Sequence, residues 1–314
     1  LPDLLQTLPD ETARLTRLCY AASPAGDWLD TPPEVFFSCA AHARYLRENV
    51  SWTRTLPEPL FLAYVLHPRV NNEALCDCRP VFYAALAERL RGLPEETAIL
   101  EINRWCAEHV VYQPTDERTR SALAVLRAGF GRCGEESMFA VNVLRACGFA
   151  ARQVYVPRWA HCDDNHAWVE VRCGGAWHFL GACEPEAVLD RGWFNSAAGR
   201  AVLVHSRCFG EPEPGADLIG REGDVVYCNE TARYADVRRL TVRVTDENGM
   251  SAAGADVDFC ILNNCEWYPA ATVQTDASGM AALTCGLGSL RLLARRDGLC
   301  CEAFVSPEET GPVV

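Results

Sequence analysis

The hydrophobic pattern of the chain changes near residue 238, and this change limits the folds that are available. Before that point, long segments carry apolar residues at helical spacing, as in Glu34–Glu48, which has no internal Gly or Pro, and in Val81–Leu93. After it, short runs of apolar and polar residues are separated by glycines at hairpin distances. Six such runs predict a small antiparallel β-sandwich: 240–246, 255–262, 271–276, 280–285, 289–295 and 300–305.

We therefore expect an α+β chain in three parts. A helical region covers residues 1–95, a core domain covers 96–236, and the β-sandwich covers 237–314. A length of 314 residues fits two or three domains. Nothing in the first region is chemically suggestive, so its expected role is to pack against the core, with a substrate-covering role as the alternative. The six-run module shows no cluster of polar residues and is predicted to be an accessory or interaction module.

Charge and hydropathy exclude several classes of partner. The net charge is −13, which argues against nucleic acid or an anionic membrane surface. No apolar run reaches the roughly 18 residues that a membrane span needs. The chain starts with Leu1-Pro2-Asp3, which lacks the basic start of a signal peptide. Because there is no initiator Met, a removed leader or a trimmed chain remain alternatives, and the oligomeric state is not readable.

The cysteines favour a reducing compartment. There are 17, an odd number that cannot pair completely within one chain, and several lie in apolar stretches. This usage predicts a cytoplasmic protein without a disulfide framework. No two cysteines are spaced C-x-x-C, so the sequence predicts no metal and no cofactor.

One cysteine stands apart through its neighbours. Cys133 follows Gly131-Arg132 and precedes Gly134-Glu135-Glu136-Ser137, at the start of a helical run that ends at Gly148. Backbone N–H groups and the helix dipole lower the pKa of a thiol in such a position. Flanking glycines let a substrate backbone approach closely. Cys133 is therefore the candidate nucleophile.

A histidine follows on a predicted hairpin. Residues 165–173 form one strand, Gly174-Gly175 the turn, and 176–180 the return strand. Paired residues then sum to 349, which puts His166 opposite Cys183. An imidazole that serves a thiol needs an acceptor, and Glu184 is the candidate. Alternation places Glu184 on the wrong face, so a bulge near Gly181, or the end of the strand, must turn it inward.

Other residues compete for the role of that acceptor. Asp163, Asp164 and Asn165 directly precede His166 in the sequence. The residues do not decide between them and Glu184.

Together these motifs resemble the transglutaminase-like superfamily, which has a papain-like core. The resemblance covers roughly residues 100–210 and is carried by four motifs in order: 131–137, 144–152, 165–170 and Trp177. It implies a helix bearing Cys133 packed on an antiparallel sheet, with Cys133 as nucleophile and His166 as base. The superfamily acid is usually an Asp four residues after the strand Trp, where this chain has Gly181. Cys183-Glu184-Pro185 resembles the residues that follow that Asp in peptide N-glycanases, which implies that Glu184 has taken over its role.

The resemblance also suggests an oxyanion residue and a name for the C-terminal module. An aromatic residue upstream of the cysteine often helps to stabilise the oxyanion; Trp105 is the best match and Tyr112 the next, with the backbone N–H of Cys133 as the other donor. The C-terminal module resembles the Ig- or prealbumin-like repeats of bacterial proteins.

Three functions follow as hypotheses. The first is a bacterial cysteine peptidase or amidase that forms an acyl-thioester on Cys133 of a peptide or protein substrate; capture by an amine instead of water would make it a transglutaminase. The second is a degenerate scaffold that binds peptides or glycans, suggested by Gly181. The third is a Cys-rich metal or redox protein.

Overall fold

The computed structural model describes residues 6–116, 118–309 and 311–314. The remaining positions of the three expected regions, which are residues 1–5, 117 and 310, lie outside the described residues. The elements that follow make the chain α+β, with helices first, then a mixed core and then two small sheets.

The N-terminal region is helical, as predicted. Prolines open its longer helices because a missing N–H costs nothing in the first turn: Pro33 starts one and Pro80 lies in the first turn of another. The predicted helices Glu34–Glu48 and Val81–Leu93 are confirmed with shifted ends. The helices are α1 Asp10–Ala21, α2 Ala25–Asp30, α3 Pro33–Asn49, α4 Ser51–Arg54, α5 Glu58–Phe61 with a π-helical turn Leu62–Leu66, and α6 Arg79–Leu90.

The next stretch leads to the candidate cysteine. Ser121 caps a short helix by accepting a hydrogen bond from the Ala124 N–H, and Gly129, at a φ of 74°, ends it. Two short parallel strands then pair Tyr112 with Gly131. The elements are α7 Glu95–His109, β1 Val111–Tyr112, α8 Ala122–Ala128, β2 Phe130–Gly131 and α9 Cys133–Ala146.

A six-stranded antiparallel sheet forms the centre of the core, in the order β5-β4-β3-β6-β8-β7. Helix α9 covers one face, where Met138 and Phe139 join one apolar cluster with Val169 and Val171. Short helical segments at Asn195–Ala198 (α10) and Thr231–Arg233 follow the hairpin and β8. The strands are β3 Ala151–Val156, β4 His166–Cys173, β5 Ala176–Leu180, β6 His205–Phe209, β7 Leu218–Glu222 and β8 Val225–Asn229.

The hairpin register is confirmed for five pairs and then departs from the prediction. Pairs run from Cys173 with Ala176 to Val169 with Leu180, each summing to 349. The predicted continuation to a pair between His166 and Cys183 is wrong, because β5 ends at Leu180. The strand ends before Glu184, which is the second of the two predicted alternatives, and Glu184 lies in the turn that follows β5.

Six strands follow in the C-terminal region, as predicted. They form a four-stranded sheet, β11-β10-β13-β14, and a two-stranded sheet, β12-β9. Apolar residues from both sheets, such as Leu240, Val257, Leu283 and Leu292, share one cluster. The strands are β9 Val237–Arg243, β10 Asp256–Asn263, β11 Glu266–Gln274, β12 Met280–Gly286, β13 Leu290–Arg296 and β14 Leu299–Val305. Among the helices of the described residues, none has the length and hydropathy to span a membrane.

Candidate active site

Cys133 is the first residue of α9, and the turn before it depends on glycine. A Cβ on Gly131 would lie 2.9 Å from the Cβ of Glu135, closer than real side chains approach. Glu135 is fully buried and anchors this turn: its carboxylate accepts hydrogen bonds from the Thr115 hydroxyl at 2.7 Å and from Arg120 Nε at 2.9 Å. The sequence thus places a sulfur at a rigid helix start.

The Cys133 sulfur is half-buried and contacts the strand that carries His166. Burial raises the pKa of its thiol, although hydrogen bonds from the backbone of Ala167 and Gly134 and the charge of Arg132 act to lower it. The predicted net lowering of the pKa at the helix start is therefore wrong, because desolvation outweighs the donors. Since Ala167 follows His166 directly, the sulfur is nevertheless next to the predicted base along β4.

His166 opens β4 with its ring among aromatic side chains. The ring lies 4.8 Å from Trp193, 5.0 Å from Phe194 and 5.8 Å from Trp168, measured between ring centroids. Burial lowers the pKa of His166 to about 4, and the charge of Asp164 acts in the opposite direction. The imidazole is therefore neutral at pH 7.

The hydrogen bonds that would join a triad are not formed. Within the described part of the chain, neither the Cys133 sulfur nor Glu184 is hydrogen-bonded to His166, and the buried Nε2 of His166 has no partner. Catalytic hydrogen bonds are often long before substrate binds, so their absence does not exclude a catalytic role for these residues.

Glu184 occupies the space above Gly181. A tight turn follows β5, in which Glu184 N–H donates to the Gly181 carbonyl at 3.3 Å and Cys183 adopts a φ of 59°. A Cβ built on Gly181 would collide with a Glu184 carboxylate oxygen and would lie 3.3 Å from Cδ. The Glu184 carboxylate thus fills the place of a side chain at position 181. Burial raises its pKa, while the Trp193 indole N–H, which donates to both oxygens at 2.9 and 3.0 Å, lowers it.

Comparison with known proteins identifies the family that the core domain resembles. The model of the transglutaminase-like superfamily matches residues 84–182, which contain Cys133, His166 and Gly181, whereas Glu184 lies two residues beyond the match. These residues form a transglutaminase-like core.

Two further comparisons add no detail on activity. A solved structure from Cytophaga hutchinsonii, provisionally described as a cysteine protease, is similar with 14% identity and a TM-score of 0.34, over 59% of this chain and 68% of that one. No curated protein matches the chain.

Asn103 holds the turn of the transglutaminase-like core that carries Glu184. Its Nδ2 donates to the carbonyl oxygens of Gly181 at 2.9 Å and Glu184 at 3.2 Å, and its Oδ1 accepts the N–H of Cys183 at 3.0 Å. Asn103 is 2% exposed on α7. The sequence pattern did not single out Asn103, although a polar side chain on the apolar face of a predicted helix was an available signal.

A second acidic residue, also missed, lies close to Glu184. Glu136 is buried in the first turn of α9, and burial together with the charge of Glu184 raises its pKa to about 8. The carboxyl is therefore protonated at neutral pH, which lets two acidic side chains share a partly buried site. In the sequence, Glu135-Glu136 looks like an ordinary acidic helix start.

The competing acids lie in the loop before His166. Asp163 uses a carboxylate oxygen to accept the Asn264 N–H at 2.6 Å, and Asn165 is exposed. Asp164 accepts the N–H of Asn165 at 2.8 Å, and its charge acts on both His166 and Cys133. Of these three loop residues, Asp164 is therefore the one whose charge influences the pKa values of both Cys133 and His166.

The two candidate oxyanion residues are placed differently. Trp105 is 5% exposed and packs in the core, with its ring 6.2 Å from those of Phe82 and Phe139. Tyr112 is exposed and pairs with Gly131, two residues before the cysteine, and the pKa of Tyr112 is raised by burial and by Cys133. Tyr112 is therefore the aromatic residue that the structure places beside the sulfur.

A buried network supports the strand behind His166. Trp168 Nε1 donates to the Tyr234 hydroxyl at 3.0 Å, and that hydroxyl donates to Glu170 at 2.6 Å. Burial acts to raise the pKa of Glu170, but the charges of Arg152 and Arg233 outweigh burial and lower it. These pairs fix the indole against which His166 rests.

The cysteines form no metal site that the structure reveals. All 17 lie in the described residues, and none of them is in a disulfide there. Across residues 6–116, 118–309 and 311–314, no group of three His, Cys, Asp or Glu side chains is arranged to hold a metal ion.

Proposed function

We propose that the transglutaminase-like core is that of a cysteine hydrolase that cleaves an amide or peptide bond. The observation that carries this proposal is the position of the Cys133 sulfur, half-buried at a helix start and hydrogen-bonded to the backbone of Ala167, the residue after His166. A nucleophile and a base on neighbouring rigid elements are what acyl transfer requires.

In the proposed reaction the Cys133 sulfur attacks the substrate carbonyl carbon while its proton passes to His166. The negative oxygen that forms is stabilised by the N–H of Cys133 at the helix start, with Tyr112 as the aromatic contribution in place of the core residue Trp105. The C–N bond then breaks, the amine leaves with the proton from His166, and an acyl-thioester remains. Water attacks this thioester, His166 takes its proton and returns it to the sulfur, and the acid is released.

The resting protonation states favour proton transfer during attack over a preformed ion pair. Burial keeps the thiol of Cys133 protonated and the imidazole of His166 neutral. Substrate binding must then bring the sulfur and the ring into hydrogen-bond contact.

Glu184 is our candidate for the acid that orients His166. Its carboxylate fills the space above Gly181, where the superfamily usually has an Asp. Trp193 links the two residues, since its N–H binds Glu184 and its ring contacts His166. Asp164 is the alternative, because its charge acts directly on the imidazole.

The remaining expectations about substrate and location belong to the same proposal. We favour water over an amine as the second nucleophile and a peptide or protein as the substrate. The unpaired cysteines fit a reducing compartment, so we propose the cytoplasm of a bacterium. The C-terminal sheets are proposed to be an Ig- or prealbumin-like module.

One observation favours the degenerate binding scaffold as a second candidate. The Nε2 of His166 is buried without a partner, and no acid is hydrogen-bonded to the ring among the described residues. A site that had lost catalysis but kept its groove would show this feature.

Turnover of a fluorogenic amide and peptide library separates the two candidates. Wild type should hydrolyse at least one substrate, and Cys133→Ala should lose about 1,000-fold or more in kcat. The matched control is Cys76→Ala, which removes another half-buried thiol and should keep wild-type turnover. Intact-mass measurement should detect the acyl group on Cys133, and an added amine reports transfer instead of hydrolysis. Binding of a peptide by wild type and Cys133→Ala alike, without turnover, would support the scaffold instead.

A further inference from the structure

The loop before His166 is tied to the C-terminal sheets by one buried side chain. Asn263, the last residue of β10, is 1% exposed. Its Nδ2 donates to the carbonyl oxygens of Cys162 at 2.8 Å, Trp159 at 3.0 Å and Asp164 at 3.4 Å. Since an amide nitrogen carries two hydrogens, three loop carbonyls converge on two donors.

The β10–β11 turn fixes the orientation of this amide. Asn264 and Cys265 have φ values of 50° and 59°, as a two-residue type I′ turn requires. The side chain of Asn264 donates to Asn263 Oδ1 at 3.0 Å, which leaves the Asn263 nitrogen facing the loop. The backbone N–H of Asn264 adds a second tie, to the Asp163 carboxylate at 2.6 Å.

The tied loop leads directly into the candidate site. Within it, Trp159 N–H donates to the Asp164 carbonyl at 3.0 Å, so the same carbonyl that Asn263 binds closes the loop. Asp164 carries the charge that acts on both Cys133 and His166, and His166 begins the strand two residues later. A shift of this loop would therefore move the base and its nearest charge together.

We propose that Asn263 is a positioning residue of the transglutaminase-like site. It holds loop 157–165 so that His166 and Asp164 keep their places beside Cys133, and the C-terminal sheets are thereby part of the catalytic unit. The inference deepens the proposed function and rests on it for its kinetic readout.

The test compares Asn263→Asp with Asn248→Asp in the 314-residue chain. The first replaces the donor with an oxygen that repels the three carbonyls, and the second makes the same change at an exposed turn of the same module. We expect Asn263→Asp to lower kcat about tenfold or more with KM within about threefold, and Asn248→Asp to match wild type. Wild-type kcat in folded Asn263→Asp, or a change in KM alone, overturns the proposal.

Hydrogen exchange supplies a readout that does not need activity. Amides of residues 157–166 should exchange at least about tenfold faster in Asn263→Asp, while those of α9 stay unchanged. Unchanged loop exchange overturns the proposal whatever the kinetics. If wild type shows no turnover at all, the proposed hydrolase fails, and loop exchange alone then decides the positioning role.

The second tie covers the case in which Asn263→Asp does not fold. Asp163 is exposed, so Asp163→Ala should fold; it removes the acceptor of the Asn264 N–H, whereas Asp163→Asn keeps an oxygen there. We expect a kcat loss of about threefold for Asp163→Ala and near-normal kcat for Asp163→Asn. Equal losses of kcat in both variants would assign Asp163 an acidic role and overturn the tie. Wild-type kcat in Asp163→Ala would also overturn the tie.

Discussion

Two half-buried sulfurs lie near helix starts in this molecule, and their surroundings give them opposite character. Cys76 lies by the start of α8, where hydrogen bonds from Cys78, from the backbone of Leu123 and Ala122 and from Ser121 lower its pKa to about 6 despite burial. At Cys133 burial is the largest influence and raises the pKa. The donors outweigh burial at Cys76 and do not outweigh it at Cys133, so the thiol with the lowered pKa is not the candidate nucleophile.

The largest expected effect in this comparison is a loss of kcat in Glu184→Ala, which tests whether the residues around Cys133 give it a catalytic role that Cys76 lacks. Glu184→Ala removes the carboxylate above Gly181, so we expect kcat to fall about 100-fold because His166 loses its candidate orienting acid. The alkylation rate of Cys76 should not change. A kcat within about twofold of wild type would transfer the role to Asp164, which Asp164→Asn would then test by the same assay.

Alkylation with iodoacetamide should separate the two thiols by about tenfold. At pH 7 Cys76 is mostly thiolate and Cys133 mostly thiol, although the lower intrinsic nucleophilicity of an acidic thiolate reduces the contrast. Peptide mapping by mass spectrometry measures both rates in one sample. The Cys133 rate should keep rising above pH 8, whereas the Cys76 rate should level off. Faster labelling of Cys133 at pH 7 would restore the ion pair that its sequence context suggested.

Glu136→Gln tests how strongly burial disfavours a charge at the start of α9, through the stability of the protein at two pH values. The pKa of Glu136 rises from 4.5 to about 8 on folding, so its contribution to stability is present below pH 4.5 and is lost as the pH rises to about 8. The amide cannot ionise, so this variant should be more stable than wild type at pH 9 by at least about 1 kcal/mol, with little difference at pH 5. Urea unfolding at both pH values measures the difference in the free energy of unfolding. Equal stability of the two proteins at pH 9 would contradict a raised pKa for the buried Glu136 carboxyl.

The smallest effect concerns the donors of Cys76. Ser121→Ala removes one donor to that sulfur and the cap of α8, so Cys76 alkylation at pH 6 should slow about threefold and the chain should lose about 1 kcal/mol. The alkylation rate of Cys133 serves as the internal control. A parallel change at both sulfurs would mean that the variant loosens the fold instead of changing one pKa.

The sequence predicted the elements better than their electrostatics. Local patterns placed the helix start at Cys133 and the register of the hairpin up to Leu180, since turn chemistry and periodicity act within a few residues. The pKa of Cys133 depends on how far distant segments bury it, and no local pattern carries that. The roles of Asn103 and Asn263 depend on contacts across 78 to 104 positions of the chain, so they emerge only from the fold.

The exposed indole of Trp193 allows ligand binding at the candidate site to be followed by intrinsic fluorescence. Its ring is 67% exposed, contacts His166 and is bound through its nitrogen to a carboxylate. Indole emission depends on polarity and on neighbouring charges, so a substrate that covers this ring would shift the fluorescence without any added dye. Titration of that signal would give affinities for Cys133→Ala, because this substitution leaves the Trp193 contacts with His166 and Glu184 in place.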